Sequence, residues 1–158
     1  MATAITGISS KSLTQIKALS TADIAVTTSS EMSALNSAQI AVMSTAQVAA
    51  ISTDSIPALT TATISNLSVS QMYALITAQI AAIDADSQLP NMGSKLIAAM
   101  STAQVVALTT DQVSNLGTAQ LAAMTTKQIA AMETDDVQAI TTIQLAHMTA
   151  KQLSSMSS

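Results

Sequence analysis

The sequence predicts an all-α fold, a tightly wound α-solenoid of about nineteen octad short helices. Three features predict it. The chain repeats every eight residues. Each repeat carries its own helix-start signal. The apolar residues recur every four residues on average, a spacing that one continuous helix cannot keep on a single face.

The repeat is plain in Ser44-Thr45-Ala46-Gln47-Val48-Ala49-Ala50-Ile51, which returns as Ser101-Thr102-Ala103-Gln104-Val105-Val106-Ala107-Leu108. It returns again at Gly117–Met124 and at Thr125–Met132. Residues 4–156 hold nineteen octads and one extra residue, which falls within Asp84–Met92. The consensus is Thr-Thr-Ala-Gln-Ile-Ala-Ala-Met, numbered here as positions one to eight. Position five is Ile, Val, Leu or Met throughout, and position eight is apolar except at Lys11 and Thr27.

Ser or Thr at position one followed by Gln or an acid at position four is a capping box. The hydroxyl accepts a first-turn N–H, and the position-four side chain reaches back to the cap. Position eight of the preceding octad and position five form the hydrophobic staple around that cap. Every acidic residue, from Asp23 to Asp136, falls at position one, three or four, near the positive end of the helix dipole. A single long helix is excluded by geometry: eight residues turn about 800°, so an apolar stripe would drift by about 80° per octad. Coiled coils stay near periods of about 3.5 to 3.67. Strands are disfavoured too, because Ala-Gln-Ala segments lack alternation and β-branched bulk.

Taken in order, the octads run regularly from residue 12 to 83 and from 94 to 156, as two arms of one repeat domain. Between them Asp84–Gly93 departs from the pattern and is expected to form a bend or loosened coil. Pro57 sits inside an octad and is expected to cost a helical hydrogen bond or add a kink. Helices of about two turns are unstable alone, so they must stack, with positions five and eight inward. Ala at position seven allows close approach. Positions two and three, with Lys95, Lys127 and Lys151, face solvent.

The chemistry-bearing residues are few. The chain has 158 residues, a net charge of -4, no Cys and one His. Its basic residues are five lysines, so it has no basic surface for nucleic acid. His147 is isolated, and one His makes neither a metal site nor a triad. Tyr73, the one aromatic residue, is expected to pack at a groove edge. The ten Met residues mostly fill positions five and eight as core. Asp84-x-Asp86-x-Gln88 opens like a calcium loop, but Leu89 stands where the turn glycine belongs and Lys95 where the bidentate Glu belongs. No catalytic, cofactor-binding or metal-ligating residue is predicted, and no small-molecule ligand is expected.

Octads such as Leu108-Thr109-Thr110-Asp111-Gln112-Val113 with Leu116 resemble the Thr/Ala/Gln-rich short-helix repeats of large secreted and surface proteins of Gram-negative bacteria, adhesin-like proteins among them. That resemblance implies an extracellular or cell-surface place and a structural or adhesive role. Thr109–Val113 is also similar to the first helix of the TAL-effector repeat, but the second helix and base-reading loop are missing. Regularly spaced Thr and Ala are similar to helical antifreeze proteins, whose threonines line one face of a continuous helix. An ice-binding face here would need stacked octads.

These features point to a non-enzymatic structural protein that self-associates, as a homo-oligomer or a helical filament. Uncharged ends, at residues 1–10 and 154–158, leave a solenoid weakly capped, and a head-to-tail contact that does not close gives a filament. The alternative is a monomeric adhesin-like spacer or interaction module. Met1–Ile5 has neither a basic stretch nor an apolar run, so no ordinary signal peptide is expected there, and no segment is long enough to insert in a membrane.

Overall fold

The computed structural model describes residues 6–156. The expectation for Met1–Ile5 lies outside them. Among the described residues there are sixteen α-helices of five or six residues, three 3-10 turns and no strand. The chain is an α-solenoid with one short helix in nearly every octad.

The helix starts follow the sequence. Ser44 Oγ accepts from Gln47 N at 3.2 Å, and Ser44 N donates to Gln47 Oε1 at 2.8 Å. The same reciprocal pair recurs at Ser12, Ser68, Ser101, Thr109, Thr125, Thr141 and Thr149. Each helix is then stopped within two turns. The position-eight N–H turns back to the position-five carbonyl, as Met43 N does to Ile40 O at 3.2 Å. Where position eight is the C-cap its backbone is extended, as at Met43 with ψ 142, except at Met156, where ψ is -17. The octad Ser52–Leu59 has a 3-10 turn at Thr53–Ser55 instead of an α-helix, the local effect of Pro57.

The stacking has a definite order. Helices three octads apart pack together: Leu13–Ala18 on Ser37–Val42, Thr45–Ala49 on Val69–Ala74, Ser94–Ala98 on Thr118–Ala123, Thr126–Ala130 on Ala150–Ser155. Hydrogen bonds from position four reach one octad further back, to the corner that precedes the helix beneath. The chain therefore returns on itself after a little more than three octads.

Position five is the centre of the core. From Ile8 to Ile129 every position-five side chain is at most 1% exposed. Position eight is buried beside it, from Leu35 at 2% to Met148 at 8%. Eight methionines lie in this core, all at positions five or eight.

The extra residue is absorbed at one corner. In a regular octad the position-four amide reaches the cap three residues back; here Asp84 N donates to Gln88 Oε1 across four residues, at 2.9 Å. Gln88 still reaches the carbonyls of Ile56 and Leu59 in the coil beneath. The expected loosening at Asp84–Gly93 is thus a bulged corner, with a 3-10 turn at Leu89–Asn91 carrying Pro90. Cross-coil bonds continue on both sides of it.

Candidate functional site

The feature that organises the molecule is a ladder of buried amides. Position four reads in the sequence as a polar cap, yet Gln39, Gln47, Gln71, Gln79, Gln88, Gln104, Gln112, Gln120, Gln128, Gln144 and Gln152 are each at most 4% exposed. Each uses both ends of its amide. Oε1 accepts the cap N–H of its own helix. Nε2 donates to the position-five and position-eight carbonyls of the octad four places earlier. For Gln71 these acceptors are Ile40 O and Met43 O, both at 2.8 Å. For Gln112 they are Ile80 O at 2.8 Å and Ile83 O at 2.7 Å.

The physical need is clear. A helix of five residues is almost all ends, and its last carbonyls have no intrahelical donor. Buried, they need partners. One Gln thus completes its own helix start and the helix end beneath it. Among the described residues no buried side-chain nitrogen or oxygen lacks a partner.

Gln, and not Glu, is what this position requires. A carboxylate would serve the capping box and favour the helix dipole, but it cannot donate to the carbonyls below. The preference for Gln was the signal in the sequence for a donor requirement.

The exceptions are informative. In the first coil no octad lies beneath, and carboxylates appear. Glu31 turns its oxygens to Gly7 N at 3.0 Å and Ile8 N at 2.8 Å. Gly7 takes the left-handed φ of 65 that this turn requires. The amide donors of Ile8 and Gly7 hold the Glu31 carboxyl below its ordinary pKa. Thr63 replaces Gln with a shorter donor and reaches only the position-eight carbonyl, Leu35 O, at 2.9 Å. Leu96 and Asp136 occupy rung positions without an amide, and both are buried.

Asp136 gives a pH prediction. It is 4% exposed and stands at the third residue of the helix Thr134–Ala139, the place a rung glutamine takes in other octads. Burial first, then the charge of Glu133, raises its pKa. Asp135 adds to this, and Asp111 is the charged residue on the helix packed against it, Thr110–Asn115. A raised pKa means that folding takes up a proton. The stabilising contribution is complete below the ordinary carboxylate value and is lost as pH rises through the raised one. Asp136→Gln restores the rung and should raise stability at pH 7 by about 1 kcal/mol. The gain should shrink at pH 4, as thermal unfolding at the two pH values would show.

The other singled-out residues stand apart from one another. His147 is exposed, with Nδ1 2.8 Å from Ile143 O at the end of its helix. Tyr73 is 64% exposed, so its ring does not pack into a groove; position six points outward. The Asp84 carboxylate accepts from the Ser87 hydroxyl at 2.6 Å and Ser87 N at 2.7 Å, which lowers its pKa, while Gln88 is a buried rung. These are turn and ladder roles, and the three residues of Asp84-x-Asp86-x-Gln88 form no ligand set. Among the described residues no three His, Cys, Asp or Glu side chains gather as a metal site, and no helix is long and apolar enough to cross a membrane.

The two ends of the solenoid differ. In the first coil Ile8, Ile16 and Ile24 are fully buried, because position five is covered by the octad three places later. In the last coil that cover is absent. Val137 and Leu145 are half-buried, and Leu153 is 41% exposed. A cavity of about 320 Å³ lies beside that coil, lined by Ile129, Met132, Thr134, Val137, Gln138 and Met156.

The molecule is a repeat protein, an α-solenoid with amide rungs between coils. The ALTTAQ repeat family matches it at residues 28–61 and again at 87–118, so the octads of both stretches are repeats of that type. No curated protein and no solved structure matches the chain.

Proposed function

We propose that this is a non-enzymatic structural protein that self-associates end to end, as the unit of an extracellular or cell-surface filament. The observation that carries the reading is that the described residues form one stack of short helices held coil to coil by buried amides, so that the array is built throughout from surfaces that pair with others of their own kind. The repeat family and the all-helical solenoid favour a structural role over catalysis. The likeness of the octads to repeats of bacterial surface proteins supports the outside location.

A second reading, a monomeric spacer, is favoured by the first coil, where Glu31 closes the amides of Gly7 and Ile8. Concentration-dependent light scattering and negative-stain microscopy separate the two. Filaments whose length grows with concentration support self-assembly; monodisperse monomers at every concentration and pH support the spacer.

A further inference from the structure

We propose that the solenoid has a lysine side and an acidic side, and that the lysine side of one copy docks laterally on the acidic side of a second copy. This rests on the self-association reading and adds a side-by-side contact to it.

The stacking sorts the charges. Helix contacts join octads three places apart, and amide bonds join octads four places apart, so a coil holds more than three octads and fewer than four. One column runs through the octads that begin at residues 12, 36, 68, 93, 125 and 149. Leu13–Ala18 packs on Ser37–Val42, Gln71 reaches Ile40 and Met43, and Val69–Ala74 packs on Ser94–Ala98. Gln128 then reaches Ile97 and Met100, and Thr126–Ala130 packs on Ala150–Ser155. This column holds Lys17, Lys95, Lys127 and Lys151 and no acid. All four lysines are exposed.

A second column runs through the octads that begin at residues 4, 28, 52, 84, 109 and 133. Ile8–Ser10 meets Ser29–Ser33, which meets Thr53–Ser55. Gln88 reaches Ile56 and Leu59, Leu89–Asn91 meets Thr110–Asn115, and that helix packs on Thr134–Ala139. This column holds every acid of the chain except Asp23, and one lysine, Lys11, whose charge acts on Glu31. Asp54, Asp84, Asp86, Asp111, Glu133 and Asp135 are exposed on it. Octads 93–100 and 109–116 are two places apart, about half a turn of such a coil, so the two columns lie on opposite sides.

The helix starts do not demand this sorting. Lys95, Lys127, Asp111 and Asp135 all stand at position three of their octads. Their cap geometry is the same, and what differs is the side of the solenoid. Lysines recurring up one side match acids recurring up the other, because both follow the same coils. Sides of like sign repel, which sets the pairing. Tyr73 and Val69, exposed in the lysine column, add aromatic and apolar contact. The two sides differ, so the contact does not close, and copies add as an open row.

Salt and charge variants test the contact. In about 10 mM salt the unaltered protein should associate side by side, read by light scattering and by paired or bundled particles in negative stain; in about 0.5 M salt that association should be lost. Lys95→Glu with Lys127→Glu leaves the lysine column without net charge and should abolish it. Lys95→Gln with Lys127→Gln should weaken it strongly. Thr45→Glu with Thr102→Glu makes the same change in net charge at exposed positions outside both columns and should leave it nearly intact. Circular dichroism checks that each variant is folded. Lateral association that ignores salt, or that survives in the folded Lys95→Glu, Lys127→Glu variant, would overturn the proposal and leave self-association standing. An unaltered protein that stays monomeric at every salt level would overturn both, and its retention on an anionic resin would then assign the lysine side to a foreign polyanion.

Discussion

Gln112→Glu should unfold the protein more readily than any other exchange of similar size. The side chains match in shape, and Glu can still accept Thr109 N, so the helix start is kept. What is lost is the donor to Ile80 O and Ile83 O, at 2.8 and 2.7 Å. A carboxylate placed there is buried against two carbonyl oxygens. At pH 7 this should cost about 3–5 kcal/mol, the range for an uncompensated buried charge. A typical small domain has only about 5–15 kcal/mol in total. Acid should reverse part of the loss, because a protonated carboxyl regains one donor. Urea unfolding at pH 7 and pH 4 reads both effects. The same exchange at Gln15, exposed in the first coil, should change the midpoint very little, so the contrast isolates the ladder and not the residue type.

Ile80→Ala should cost about 2–5 kcal/mol, the usual range for deleting a buried aliphatic side chain without collapse. Ile80 is 0% exposed in the helix Thr77–Ala81, with coils on either side of it. A helix of five residues has no stability of its own to hold the chain if that packing fails. Leu153→Ala, at the same octad position in the last coil, should cost well under half as much, because Leu153 is 41% exposed in the isolated chain. Denaturant unfolding of the two variants gives the comparison directly. A cost at Leu153 equal to that at Ile80 would mean that the last coil is covered.

Most of the fold was legible because each octad repeats every local signal in full. Ser44, Gln47, Val48 and Ile51 together state a cap, a box partner and two core positions, and the structure uses all four as stated. The period of eight excluded a continuous helix by arithmetic alone. The second use of Gln47, on Ile16 O and Leu19 O, was not legible in the same way. It depends on which octad lies beneath, and that is set by how sharply each corner turns. Local pattern does not contain the turning angle. The hint lay in the choice of Gln where Glu would cap as well, and in the carboxylates Asp23 and Glu31, which occur where nothing lies below. Asp136 breaks that rule inside the array and is the residue whose pKa is raised by burial. The exposed Tyr73 ring departs from expectation for a simpler reason. Position six turns outward from the coil, so ring size does not decide its burial.

The most direct test of the amide ladder is hydrogen exchange of side-chain amides by nuclear magnetic resonance. The eleven rung glutamines hold both acceptor carbonyls and cap amides in the interior. Their Nε2 hydrogens should exchange several orders of magnitude more slowly than those of Gln15 and Gln138, which are exposed. Gln47, Gln79 and Gln112 should be among the slowest, and Gln152, in the uncovered last coil, the fastest of the rungs. Equal, fast exchange at Gln112 and Gln15 under conditions where the backbone stays folded would contradict the account.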